Sequence, residues 1–387
     1  MSTSQSTPPN RAFERKRPLS ALIEAAYPAA QANQELSTTQ TSTRTQRHLQ
    51  LLLALIIVCV LMALLALSWS SVSIPLDQVL AVLWNSEAER QSWTTIIRDI
   101  RMPRVLTSAL AGIGLGLAGL QMQTLFRNPL ASPFTLGISS GASLGVALLI
   151  IAFPAGLGYG IAGGQWLANV GTVAGAAIGA MLVMLLMVTV STRVRDMTTV
   201  LLLGVVIGAL ISAIVTVLVY FADEQRTREF VEWNFGSFHR VRPADLIFLA
   251  TAIAIGAFIN AAIAKQLNVL LMGENYAQSM GLNLRRTRLW ILLSSSILAG
   301  AVTAYTGPIG FLGIAIPHLA RGLFGTSDHR ILVPATILIG AAIAIACGIL
   351  AELPGSSLTL PINAATALVG APVALWVLLR AQRGGWM

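Results

Sequence analysis

An all-α protein threaded repeatedly through a membrane is the fold class that this sequence predicts. Three observations carry the prediction. Hydrophobic residues make up 55% of the 387-residue chain and charged residues only 11%, where a soluble domain carries about 25% charged residues. Ten apolar stretches follow one another, divided by short polar loops. The first of them, Leu49 to Trp69, holds no charged side chain and, at about 1.5 Å of helical rise per residue, covers a hydrocarbon core of about 30 Å.

Residues 1–48 are rich in Ser, Thr, Gln and Ala, contain Arg15-Lys16-Arg17 and lack the apolar core of a secretory signal. They read as a disordered cytoplasmic tail, with contact between the basic run and anionic headgroups as a second reading. Residues 49–387 form the transmembrane domain, with spans near 49–69, 105–126, 134–152, 166–190, 197–221, 244–264, 289–305, 309–324, 331–351 and 361–379. With the N-terminus inside, the outer segments hold Arg90, Arg98, Arg101, Arg104, Arg226, Arg228, Arg240 and Arg242, and the other seventeen of the 25 basic residues lie inside. That distribution follows the positive-inside tendency and places both termini in the cytoplasm, so the formal charge of +9 reports topology and not nucleic-acid binding.

The content of the spans narrows the function. No Asp, Glu, Lys or Arg lies near the middle of any span, whereas an ion-coupled secondary transporter needs intramembrane ionisable groups. Small residues recur four apart instead: Gly112 and Gly116, Gly137, Gly141 and Gly145, Gly171, Gly175 and Gly179, Gly204 and Gly208. Each set lies along one helix face and is read as close helix packing within one subunit, a few positions being candidates for a seam between subunits. Cys59 and Cys347 fall inside spans and read as apolar packing residues. The four histidines have no metal-ligand spacing, and His318 reads as a polar residue near a helix end. No catalytic, metal or cofactor site is expected, and neither Lys16 nor Lys265 sits in a phosphate-binding P-loop. A membrane-embedded lipid enzyme lacks its cluster of reactive groups. A non-transport scaffold is compatible with the composition.

Three connections stand out. Pro-containing breaks interrupt the pattern at Arg127-Asn128-Pro129-Leu130-Ala131-Ser132-Pro133 and at Tyr305-Thr306-Gly307-Pro308-Ile309-Gly310, because proline removes a donor and restrains the residue before it. Irregular backbone at membrane depth must be covered by protein or line a cavity, so the first break is a candidate pore element, with an ordinary loop as the alternative. The loop 265–288, KQLNVLLMGENYAQSMGLNLRRTR, is too polar to insert and holds a short helix from Glu274 to Met280, stopped by Gly281. It reads as a docking knob or as an amphipathic connector on the headgroups.

Across roughly residues 95–380 these blocks resemble the permease subunits of binding-protein-dependent ABC importers for iron siderophores and cobalamin, the FecCD type. The resemblance is carried by Arg101-Met102-Pro103-Arg104, by RNPLASPFTLGISSGASLG at 127–145, by GENYAQSMGLN at 273–283 and by GPIGFLGIAIPHLAR at 307–321. Ser327-Asp328-His329-Arg330, Leu360-Pro361-Ile362 and Gly370-Ala371-Pro372 continue the order. It implies a type II ABC importer permease fold of about ten transmembrane helices and a second permease subunit. Two ATPase subunits, which would hold ATP and Mg, are implied inside, and a periplasmic or lipid-anchored substrate-binding protein outside. The setting implied is a bacterial cytoplasmic membrane, and the chain itself is then no enzyme.

Residue roles follow from the same resemblance. Arg101 and Arg104 match arginines that receive acidic residues of the binding protein, a pairing that suits the guanidinium fork. Gly273, Glu274, Ala277, Met280 and Gly281 match the helix that couples to the ATPase. Asn128 matches a constriction at the cytoplasmic end of the pathway, and Thr198 lies where a second would be. One cluster departs from the family pattern: where relatives carry Asp, Arg and an acidic residue, this chain has Gly348, Glu352 and Thr359. Glu352 reverses a docking charge, which points to a related but different chain as the second permease subunit. The implied cargo is a ferric siderophore complex, with cobalamin or haem as the alternative.

Overall fold

The computed structural model describes residues 19–70, 72–84, 86–152, 164–194, 196–353 and 358–381. Its regular elements are helices: α1 (Leu19–Ser68), α2 (Leu76–Leu83), α3 (Gln91–Thr95), α4 (Met102–Leu125), α5 (Ile138–Ala147), α6 (Gly164–Arg193), α7 (Met197–Tyr220) and α8 (Glu224–Asn234). They continue with α9 (Pro243–Ala262), α10 (Ala264–Leu271), α11 (Glu274–Ser279), α12 (Leu284–Thr306), α13 (Leu312–Phe324), α14 (His329–Ala351) and α15 (Ile362–Ala381). Among the described residues, seven helices are long and apolar enough to cross a bilayer, and Ile138–Ile151, Leu312–Phe324 and Ile362–Trp376 are shorter apolar helices. All ten lie on the stretches read from the sequence.

Two boundaries differ from the sequence reading. Helix α1 starts at Leu19, inside the segment expected to be a disordered tail, where Ala, Gln and Leu supply good helix formers. The basic run Arg15-Lys16-Arg17 lies outside the described residues. The second span begins at Gln91, ahead of the expected 105, through α3 and a π-helical turn at Ile96–Arg101. The charges of Arg98, Asp99 and Arg101 conceal this extension in the sequence, while Ile97 is 1% exposed and belongs to an apolar cluster with Leu67, Ile74, Val79 and Val82.

Helix α4 occupies the centre of the bundle, packed against α9, α12, α13 and α14. In lipid, burying one apolar helix against another gains little transfer energy, so close contact and hydrogen bonding must hold the helices together. The glycines provide that contact. A Cβ at Gly119 would overlap the Gly313 carbonyl, and Gly112 meets Gly340 in the same way. Gly141 and Gly145 of α5 lie against Gly179 and Gly175 of α6. These stripes therefore serve packing within one chain. A buried polar strip crosses the same core: Gln121 Nε2 donates to Ser294 Oγ (2.8 Å), which donates to the Gly256 carbonyl (2.9 Å), and Asn260 Nδ2 donates to the Leu117 carbonyl (3.3 Å).

Loop contacts sort the connections onto two ends of the bundle. At one end Ser70 donates to Glu352, the Ser237 amide to the Thr306 carbonyl (2.8 Å), and Asn363 Nδ2 to the carbonyls of Pro308 (2.7 Å) and Asn234 (3.1 Å). At the other end Asn268 Nδ2 donates to Asp328 (2.6 Å), and His318 Nε2 lies 2.8 Å from the Pro129 carbonyl. Repeated alternate crossing produces such a division.

Candidate functional site

The Arg104 end joins α1, α4, α14 and the turn before α9. Arg101 is 3% exposed. Its Nη1 donates to the carbonyls of Leu67 (2.6 Å) and Ser68 (3.1 Å), and its Nη2 to that of Val72. Residues Leu67 and Ser68 close α1, whose last carbonyls lack intrahelical donors and carry the negative end of the helix dipole. The Arg101 guanidinium is thus occupied inside the chain, tying the start of α4 to the end of α1. Arg104, one turn on, forms an ion pair with Glu352, the two side chains being 12% and 8% exposed. Ser70 Oγ donates to the second Glu352 oxygen, and His239 Nδ1 lies 3.5 Å from Arg104 Nη1.

A cavity of about 220 Å³ opens beside this pair, and Gly348, Glu352 and Thr359 line it together with Arg104. The three departures from the family pattern are therefore one place in space. The charge that Glu352 reverses is balanced by Arg104 of the same chain, so the reversal does not by itself call for a different second subunit.

At the opposite end, α4 stops at Leu125 and the chain turns through Arg127, a non-glycine residue at φ 46°. Asn128 Oδ1 accepts the Leu130 amide (2.9 Å), an Asx turn that holds the break in shape. Ser132 and Thr135 cap a short 3₁₀ turn, Pro133–Leu136, and Gly137 enters α5 at φ 77°. Thr198 lies at the start of α7 with an exposed side chain. Its amide donates to Asp196 Oδ1 (3.3 Å), and Thr199 gives its amide and hydroxyl to Oδ2 (2.8 and 2.7 Å). These bonds, the Thr199 hydroxyl foremost, hold the Asp196 carboxyl below its ordinary pKa.

The loop 265–288 is more ordered than its polarity implies. Residues 264–271 form α10, because Leu267 and Leu270 repeat at helical spacing and are buried. Helix α11 follows after Gly273, with Met280 as its C-cap and Gly281 at φ 83°. Ala277 packs inward, while Met272, Tyr276 and Met280, four residues apart, are 61%, 47% and 59% exposed. This apolar ridge projects from an element that is itself anchored: both Glu274 oxygens accept from Arg288 Nη2 of α12 (2.7 and 2.6 Å). Asn268 of α10 carries a second tie, since its Oδ1 accepts the His329 amide and lies 2.8 Å from His329 Nδ1. The far ring nitrogen, Nε2, lies 2.9 Å from Thr124 Oγ1 on α4.

Ser70, Thr124, Asn268 and Asn363 were not singled out by sequence. Nothing local distinguishes a polar residue that meets its partner from one in solvent. Gln121 and Asn260 were not singled out either, although an amide set within an apolar helix is a signal that could have found them.

The model of the FecCD transport family matches residues 23–380. The chain belongs to the FecCD transport family. It is 36% identical to the hemin transport system permease protein HmuU of Yersinia pestis over 78% of this chain and 89% of that protein. It is 35% identical to the vitamin B12 import system permease protein BtuC of Klebsiella pneumoniae over 75% of this chain and 84% of that protein. Among solved structures it resembles one described as an inward-facing conformation of a metal-chelate type ABC transporter, with a TM-score of 0.73 and 27% identity over 86% of this chain and 99% of that one.

Proposed function

We propose that this FecCD permease carries a ferric siderophore complex across a bacterial cytoplasmic membrane, driven by ATP hydrolysis on separate ATPase chains. The observation that carries the coupling is α11. Its Met272, Tyr276 and Met280 ridge offers an apolar contact, and the Glu274–Arg288 and Asn268–His329 ties lead from that contact into α12 and α14. Movement of α11 by an ATPase would then reach the helices that pack on α4, the discrete rearrangement that alternating access requires. Asn128 and Thr198 are proposed to narrow the same end of the pathway as small polar groups that pass a large solute without holding it.

The Arg104 end is proposed to receive the substrate-binding protein. Arg104 and Glu352 form the candidate contact, and Arg101 supports it from behind. With Glu352 balanced within the chain, a second copy becomes the simpler second subunit. Haem is the second reading for the cargo, favoured by the likeness to HmuU.

Uptake of labelled ferric siderophore, haem and cobalamin by cells lacking this chain tests the cargo. Loss of siderophore uptake alone, restored by the wild-type gene, is expected. Loss of haem or cobalamin uptake alone would move the substrate, and no loss of any would remove the import reading.

A further inference from the structure

A cavity of about 1360 Å³ lies among α6, α8, α9 and α12 and is not used by the coupling or docking elements. Three apolar stripes at helical spacing wall it. On α6 these are Val173, Ala177 and Met184, on α9 Phe248 and Ala252, and on α12 Ile297, Gly300 and Ala304. Helix α12 packs against both α6 and α9, and its Gly300 and Ala304 leave a floor without bulk between them. Met181 and Phe248 are 50% and 64% exposed at the flanks, so the slot opens sideways toward the bilayer.

Its dimensions and polarity match a single leaflet. At about 1.5 Å per residue, the α12 wall from Ser296 to Tyr305 runs about 14 Å and the α6 wall from Val170 to Met184 about 21 Å, against about 15 Å for half a hydrocarbon core. Charge is confined to the mouth. Arg226, Arg240 and Arg242 stand there among Asp223, Glu229, Glu232 and Asp245, three cations among four carboxylates. Arg226 pairs with Asp223 (2.9 Å) and also donates to the Ile151 carbonyl (2.9 Å), and Arg242 pairs with Asp245 (3.0 Å), while Glu232 Oε1 meets the exposed Arg228 (3.0 Å) and Glu229 Oε1 accepts from Gln225 (3.1 Å). A headgroup seated on this rim meets both signs at once, which suits a zwitterion better than an anion.

We propose that this slot holds a zwitterionic phospholipid, its acyl chains on the Gly300 floor, its phosphate toward Arg240 and its ammonium toward Glu229 and Glu232. The lipid fills the space between α6 and α9 and holds them apart, independently of what the permease carries.

The test is native mass spectrometry of the full chain released from nanodiscs containing equal phosphatidylethanolamine and phosphatidylglycerol. One retained lipid per chain, enriched several-fold in phosphatidylethanolamine, is expected. Glu229→Lys with Glu232→Lys, at the rim and away from the packed core, should turn the preference toward phosphatidylglycerol. Gly300→Leu with Ala304→Leu should abolish retention, thermal unfolding showing whether that variant folds. Wild-type chain that retains no lipid, or both lipids equally, would overturn the proposal. So would a rim variant with unchanged preference, or a folded floor variant that keeps its lipid.

Discussion

His329 and Thr124, 205 positions apart, meet at 2.9 Å in the buried interior between α14 and α4. The bonding around them sets the protons. Asn268 Nδ2 donates to Asp328, so its Oδ1 accepts, and His329 Nδ1 carries the hydrogen that it receives. His329 Nε2 is then an acceptor for the Thr124 hydroxyl, which also lies 2.9 Å from the Leu120 carbonyl. A single side chain thereby links α10, α14 and α4.

Removing that link strands buried polar groups at about 1–3 kcal/mol each. His329→Leu is expected to lower stability by that order. In a double-mutant cycle with Thr124→Val the two losses should fall short of additivity by about 0.5–3 kcal/mol. Denaturant unfolding of the purified protein measures both. Strict additivity would mean that the two residues do not act on each other.

Arg104 and Glu352 make a second prediction, because each neutralises the other where little water reaches. Glu352→Ala leaves Arg104 uncompensated and is expected to cost about 3–5 kcal/mol, whereas replacing both by apolar residues should be close to neutral. Arg101→Ala should destabilise the chain through the lost carbonyl contacts at the end of α1. Thermal unfolding in detergent compares all three.

Seven spans were legible in the sequence because their apolar runs are long, nearly uncharged and bounded by polar residues, whereas the stretches at Ile138–Ile151, Leu312–Phe324 and Ile362–Trp376 form shorter helices. The start of the second span was not, since Arg98, Asp99 and Arg101 look like a loop until Arg101 is seen among the carbonyls of α1. Glu352 was recognisable as a departure, but its partner lies 248 positions away, a distance that local pattern does not encode. Helix α11 and its Gly281 stop followed from turn chemistry alone. Helix α10 did not, because its apolar residues Leu267, Val269, Leu270 and Leu271 are interrupted by Lys265, Gln266 and Asn268 and form too short a run to stand out.

Asp196 predicts a pH effect confined to the start of α7. Its carboxyl is held below the usual value by the Thr199 hydroxyl and the amides of Thr199 and Thr198, so the capping contribution is complete above the unfolded pKa of about 3.9. It is lost as pH falls through the lower folded value. Hydrogen exchange at the Thr198 and Thr199 amides should accelerate in that acidic window beyond its ordinary pH trend. Asp196→Asn, which keeps a capping oxygen without a titrating one, should remove the excess.

In the proposed coupling, α11 transmits ATPase movement into the helices through the Glu274–Arg288 pair, 2.6 Å apart. Uptake of labelled ferric siderophore by cells expressing Glu274→Arg, Arg288→Glu or both tests it most directly, with membrane levels of each chain equalised. Each single reversal is expected to reduce uptake at least tenfold, about 1.4 kcal/mol of lost coupling, and the double reversal to restore most of it. Wild-type uptake by both single variants would contradict the account.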